Sequence, residues 1–220
     1  MKQINKTMKI LVIDDHEIVL GGTLHFLHQK YPEAEFISAK TALEATEKIS
    51  LYHPNLVLMD LSLPLKTGEP ANLDTGIQLL KSCLEKYPQL NITVQSSFVK
   101  ALVRIKSAID NHEGGFTIAD KGLSTQDMLD RVDLALRGAS HTRDLGQKII
   151  ELKPEWLKLL SLAFDKGLQD EEIARRMNVS IRTVRHYWTK IQDVLEVYPE
   201  EGENKRIKTE IRAREKCLID

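Results

Sequence analysis

Three carboxylates open the reading of this chain. Asp14 and Asp15 follow the apolar run Ile10-Leu-Val-Ile13, and Asp60 follows Leu56-Val-Leu-Met59. Runs so short and apolar fit strands buried on both faces, which tolerate no acid inside, so the acids belong to the strand ends. In an open parallel sheet, function collects at the carboxyl ends of the strands. Neighbouring strands would bring the three groups within a few ångströms, where they repel unless a cation sits among them. A hard divalent ion with oxygen ligands, most simply Mg²⁺, answers that need. Unrelated strand-end acids or helix caps would leave the same trace.

The elements that must position these acids alternate regularly. Strand runs at Ile10–Ile13, Phe36-Ile37, Leu56–Met59, Ile92-Thr-Val94 and Phe116-Thr-Ile118 are separated by stretches with apolar residues at helical spacing. Leu20, Leu24 and Leu27 mark the first such helix, Ala42, Ala45 and Ile49 the second, Ile77, Leu80 and Leu84 the third, and Val99–Ile109 the fourth. Ser124 and Asp127 fit a capping pair at the start of a fifth, with Met128, Val132 and Leu136 on its inner face. Five strand–helix alternations predict an α/β fold, a doubly wound five-stranded parallel sheet covered on both faces. A polar stretch with Gly138, Ser140, Thr142, Asp144 and Gly146 follows, and beyond it only helices are predicted. The expected organisation is a first domain over 8–138, a linker over 139–150 and an all-α four-helix domain over 151–220.

Composition narrows the partners. With 31 basic and 32 acidic residues the formal charge is -1, so any nucleic-acid site must be a local patch. Hydrophobic residues make up 42%, enough for real cores. The apolar runs are too short to span a bilayer, and the first residues lack a signal-peptide core, so no membrane is expected and the chain reads as cytoplasmic. Cys83 and Cys217 fit no metal or disulfide pattern. His25 and His28 share a helix face without further ligand partners and read as surface or partly buried residues.

From about Lys9 to Gly138 the chain resembles the receiver domain of two-component response regulators, the flavodoxin/CheY-like fold. Four signatures occur in order. They are Ile-Leu-Val-Ile-Asp14-Asp15, then Leu-Val-Leu-Met-Asp60-Leu-Ser-Leu-Pro64, then Ser96 in Ile-Thr-Val-Gln-Ser96-Ser97, and Lys121 in Ala-Asp-Lys121-Gly-Leu-Ser. The resemblance implies that Asp60 accepts a phosphoryl group from a sensor histidine kinase. It implies that Asp14, Asp15, Asp60 and the backbone carbonyl of Ser62 hold Mg²⁺, that Ser96 hydrogen-bonds a phosphoryl oxygen and that Lys121 pairs with another. The chain departs from the family twice. Leu65–Leu73 is an insertion, which reads as an exposed surface loop. The family's spacing would put the lysine at Ala119, so a short bulge is expected to bring Lys121 into its place.

The segment from Leu152 to Ile219 resembles the LuxR/NarL-type helix-turn-helix domain. The matching residues are Gly167-Leu, Glu172-Ile173-Ala174, Met177, Val179, Ser180, Thr183-Val184-Arg185, Ile191 and Leu195. Asp170 can cap the first helix of the motif and Ser180 the second, the expected recognition helix. Val184, Ile191 and Leu195 would face its core. Arg175, Ser180, Arg182, Thr183, Arg185, His186, Thr189 and Lys190 are the expected contacts to double-stranded DNA. The last helix carries Ile207, Ile211 and Leu218, a stripe that in this family often pairs two protomers, so a homodimer on DNA is expected. The resemblance as a whole implies a phosphorylation-controlled transcription regulator and not an enzyme. Two other readings compete. One is a DNA-binding regulator whose receiver is never phosphorylated. The other is a hydrolase of the haloacid-dehalogenase type, which would want a second acid where Asp60-Leu-Ser62 has none.

Overall fold

The computed structural model describes residues 7–142, 152–200 and 202–219. Its contacts divide the chain into two compact units, Met1–Gly146 and Gln147–Asp220. Most of the expected linker, 143–150, and Glu151 lie outside the described residues.

The first unit alternates β1 (Lys9–Ile13), α1 (Glu17–Lys30), β2 (Glu35–Ala39), α2 (Ala42–Tyr52), β3 (Leu56–Met59), α3 (Leu73–Lys86), β4 (Asn91–Ser96), a 3-10 helix (Val99–Ile105), α4 (Lys106–Asp110), β5 (Phe116–Asp120) and α5 (Thr125–Leu136). The strands pair in parallel in the order β2-β1-β3-β4-β5, and a two-residue β6 (Ser140–His141) adds to β5. The sheet therefore has six strands where five were expected. The polar stretch after α5 is not all linker, because the Phe116 amide donates to the Ala139 carbonyl at 3.2 Å and β6 covers an otherwise open edge. The fourth helix is also not one regular helix but a 3-10 segment running into a single α-turn.

Alternation sorts the core onto two faces. Ile10, Val12, Leu56, Leu58 and Ala119 pack with Leu20 and Leu27 of α1 and Met128, Leu129, Val132 and Ala135 of α5. Tyr31, just beyond α1, donates from its hydroxyl to Asp133 of α5 at 2.5 Å, and burial with that bond raises the phenol's pKa far above its usual value. Leu11, Ile13, Val57 and Met59, equally buried, serve the opposite face, where α2, α3 and α4 pack side by side. Cys83 of α3 is buried there, and burial pushes its thiol up to about 12, so it is an inert core residue. Thr41, Asn72 and Ser124 cap α2, α3 and α5 with side-chain oxygens, Ser124 with Asp127 as its partner.

The second unit holds α6 (Pro154–Phe164), α7 (Asp170–Met177), α8 (Ile181–Val194) and α9 (Lys205–Glu215). Pro154 starts α6 at a position where its missing N–H costs nothing. Asn178, in the left-handed region at φ 55, ends α7, and Ser180 caps α8 by accepting the Thr183 amide at 3.1 Å. The core face of α8 is Val184, Trp188, Ile191 and Gln192, with Leu195 just after it. Trp188 adds to the expected set.

Candidate functional site

Parallel pairing carries β1 and β3 side by side, and the Asp60 amide extends the ladder by donating to the Ile13 carbonyl at 2.9 Å. Asp14 and Asp60 thus emerge together, both nearly fully buried at the carboxyl edge of the sheet. One oxygen of Asp60 accepts the Leu61 amide at 2.6 Å, and one oxygen of Asp14 accepts the His16 amide at 2.8 Å. The remaining oxygens, Asp14 Oδ2 and Asp60 Oδ2, each accept a hydrogen bond from Lys121 Nζ at 2.8 Å. The acids and the lysine expected from the sequence thus share one pocket.

The expected bulge before Lys121 is absent. β4 and β5 pair in unbroken register from Ile92↔Phe116 to Ser96↔Asp120. Lys121 instead lies in the turn directly after β5, and its long side chain reaches both acids from there. Phe116 is fully buried in the sheet.

Burial alone would lower the Lys121 pKa, but hydrogen bonds and charge from Asp14 and Asp60 outweigh it and hold the value above the ordinary 10.5. A group whose pKa is raised on folding contributes stability below its unfolded value and loses it as the pH rises through the folded one. The stability difference between wild type and Lys121→Met is therefore expected to be present at pH 8 and to shrink above the lysine's ordinary pKa. Urea titrations at a series of alkaline pH values check this, and a difference that stays constant with pH would contradict it.

Asp14, Asp15, His16 and Asp60 each present one ligand atom, all within 4.8 Å of one another. Asp15 Oδ1 is buried and among the described residues no donor meets it with hydrogen-bonding geometry, although His16 Nδ1 lies 2.9 Å away. A buried carboxylate oxygen in want of a cation, beside two more carboxylates, fits a divalent metal. His16 was not among the expected site residues. Its signal was its place directly after the acid pair.

Ser96 is the last residue of β4, buried at the same edge; its Oγ accepts the Phe98 amide at 3.2 Å and its carbonyl the Lys121 amide at 3.4 Å. Ser62 lies in the loop past Asp60. That loop is cinched at its base by a two-way backbone pair, Leu63 with Asn72, at 3.3 and 3.0 Å. The insertion is thereby an exposed excursion over 65–71, turning at Gly68 with φ 88, while Asn72 caps α3 and Leu73 begins it.

In the second unit Arg182, Arg185, His186, Thr189 and Lys190 all lie on the exposed face of α8. Among the described residues no carboxylate pairs with Arg182, Arg185 or Lys190, whereas Arg175 and Arg176 both pair with Glu172. The net positive field thus belongs to α8 more than to α7. Ser180 and Thr183 share a hydroxyl hydrogen bond at 2.8 Å at the helix start. Asp170 does not cap α7. Gln169 holds that position without a side-chain bond, and Asp170 is the first helical residue, drawn inward by Trp188 and Arg206. On α9, Thr209 and Ala213 face the core, and so does Leu218 beyond it. Ile207 and Ile211 are 56% and 52% exposed, so two of the three residues of the expected stripe point outward.

Residues 126–198 match the family model described as ECF sigma factor, less than half of the chain and including α6 to α8. The transcriptional regulatory protein YhcZ of Bacillus subtilis (strain 168) is 39% identical over 92 residues, 41% of this chain and 39% of that protein. The oxygen regulatory protein NreC of Staphylococcus aureus (strain JH9) is 30% identical over 91 residues, again 41% of this chain and 39% of the relative. The chain thus spans about two fifths of the length of these relatives. Among solved structures, RcsB from Salmonella enterica serovar Typhimurium, bound to promoter rprA in the presence of phosphomimetic BeF3-, superposes with a TM-score of 0.58 at 21% identity, covering 94% of this chain and 99% of that one. The chain accordingly has the fold of that two-component response regulator, here a parallel α/β unit followed by an all-helical unit.

Proposed function

We propose that the chain is a response regulator in which phosphorylation of Asp60 by a sensor histidine kinase controls sequence-specific binding to double-stranded DNA and hence transcription. The observation that carries the reading is the Lys121 ammonium held between two buried acids, on a chain whose second unit presents the exposed cations Arg182, Arg185 and Lys190 on one helix, with no carboxylate paired to them among the described residues. Asp14, Asp15, Asp60 and the Ser62 carbonyl would hold Mg²⁺, whose charge offsets the repulsion between a phosphoryl group and the acids. An Asp60 oxygen forms the new bond to phosphorus as the donor's bond breaks. Lys121, already at hydrogen-bonding distance from Asp60, is placed to pair with the added charge, and Ser96 to donate its hydroxyl. Redirecting Lys121 and Ser96 alters the ends of β4 and β5, which are tied through the Lys121 amide. The protein stores a signal in this reading and turns over no substrate.

Arg182, Thr183, Arg185, His186, Thr189 and Lys190 would contact DNA from α8, with Ser180 at its start and Arg175 on α7 at the margin. Ile207 and Ile211 supply an apolar pair for a homodimer on DNA. No helix among the described residues is long and apolar enough to cross a membrane. The test is to incubate the protein with acetyl phosphate and Mg²⁺, weigh it for one added phosphoryl group, and follow DNA binding by gel shift before and after. A chain that takes up no phosphate but still binds DNA would favour a regulator with an interaction-only receiver. Separately, Arg182→Ala or Arg185→Ala is expected to weaken binding to a preferred sequence by ~1–3 kcal/mol if the side chain reads a base edge. Equal loss on all sequences would assign that residue to phosphate contact instead.

A further inference from the structure

Three helices of the second unit meet at one polar knot. Trp188, in the middle of the buried face of α8, donates its indole N–H to Asp170 Oδ1 at 3.0 Å. Asp170 is the first residue of α7. Arg206, in the first turn of α9, places one terminal nitrogen 3.0 and 3.1 Å from the two oxygens of Asp170. The same guanidinium lies 3.5 Å from the centre of the Trp188 ring. Each group thus touches the other two. Phe164 of α6 also meets the indole edge-on, with ring centres 5.6 Å apart.

We propose that Arg206, acting through Asp170 and Trp188, is a positioning residue that sets the rotation of α8 and so the aim of its DNA-reading side chains. The proposal rests on the DNA-binding reading above. The cap at Ser180 fixes where α8 starts, and the aliphatic contacts of Val184 and Ile191 fix which side is buried. Apolar contacts are non-directional and tolerate small rotations of a helix about its axis. A directional hydrogen bond from the indole, with a cation stacked on its face, does not. Arg185 lies three residues before Trp188 and Thr189 one after it, so a rotation at Trp188 moves both exposed side chains sideways. Base-edge hydrogen bonds need donor and acceptor within a narrow distance and angle, whereas a flexible cation follows a phosphate through such a shift. Arg206 also neighbours Ile207, so the knot joins the outward apolar pair of α9 to the reading helix.

The knot therefore serves discrimination more than affinity. The experiment selects a preferred duplex from a randomised DNA pool with the wild-type chain, then measures Arg206→Ala on that duplex and on the unselected pool. The expected result is a fall of about tenfold in the ratio of the two affinities, the size of one lost base-pair reading, with binding to the unselected pool little changed. Asp170→Asn, which keeps an acceptor for the indole and removes the charge, should lower the ratio in the same direction and guards against a variant that fails to fold. Helical circular dichroism and melting temperature are followed in parallel. A lower melting temperature with an unchanged ratio in both variants would mean the knot only stabilises the unit and would overturn the proposal. If the wild-type chain enriches no sequence at all, the DNA-binding reading fails, and the positioning role falls with it.

Discussion

Asp60→Asn is expected to abolish uptake of the phosphoryl group from acetyl phosphate in the presence of Mg²⁺, seen as a single unshifted mass where the wild type gains one group. The replacement is nearly isosteric, so the sheet edge is expected to persist. What it removes is the anionic oxygen proposed to attack phosphorus and one of the two anions that hold Lys121. Asp14→Asn provides the comparison, because it lies equally buried and pairs with the same ammonium. In the proposed scheme Asp14 holds the metal, so its loss should slow the reaction without relocating it, and Asp14→Asn with excess Mg²⁺ should still carry phosphate on Asp60. Continued phosphorylation of Asp60→Asn, with none in Asp14→Asn, would move the acceptor to β1 and sink the assignment.

Gly76→Ala is expected to cost on the order of 3 kcal/mol of stability, and to slow phosphorylation as well. A Cβ at Gly76 would sit 1.9 Å from the Leu61 carbonyl oxygen, with two further Leu61 backbone atoms within 2.7 Å. Those neighbours are backbone and cannot rotate away, so either α3 lifts off the sheet or the segment after β3 shifts. That segment carries Asp60, and the Leu61 amide is the donor to Asp60 Oδ1. The clash should therefore appear both as a lower urea midpoint and as a slower rate of phosphate incorporation. Gly21→Ala is the control. Nothing lies within 4 Å of a Cβ there, and in the interior of α1 alanine should stabilise by ~0.5–1 kcal/mol through helix propensity. A Gly76→Ala midpoint equal to wild type would show that α3 accommodates the methyl group without strain.

Several of these features are legible in the order of the residues. The apolar runs ending at Asp14 and Asp60 announce their strands, because a segment buried on both faces cannot hide an acid except at its end. Pro32, Pro54 and Pro88 punctuate the helices before β2, β3 and β4, and Ser124 and Ser180 announce helix starts by the capping chemistry of a short hydroxyl side chain. The exposed cationic face of α8 is likewise visible, because helical periodicity separates Val184 and Ile191 from Arg182 and Arg185. The insertion reads correctly as exposed, although Asn72 and Leu73 belong to the start of α3.

Periodicity alone settles which face of an element is buried and which residues can cap it, because those are properties of a few neighbouring residues. It does not settle which partner a polar group finds, because that depends on distances between elements far apart in the chain. Lys121 needed no bulge, since from the turn after β5 its long side chain reaches both Asp14 and Asp60. His16 joined the acids because the turn after β1 folds its imidazole back toward them. Ser140 and His141 became a strand because β5 offered an unpaired edge. Asp170, a plausible cap by local rules, went instead to the indole of Trp188 and the guanidinium of Arg206, which only the meeting of α7, α8 and α9 brings within reach. The sequence by itself determined the elements, the edge where the acids gather and the basic face of α8; the tertiary structure decided the pairings, because a buried charge or donor takes the partner that packing delivers to it.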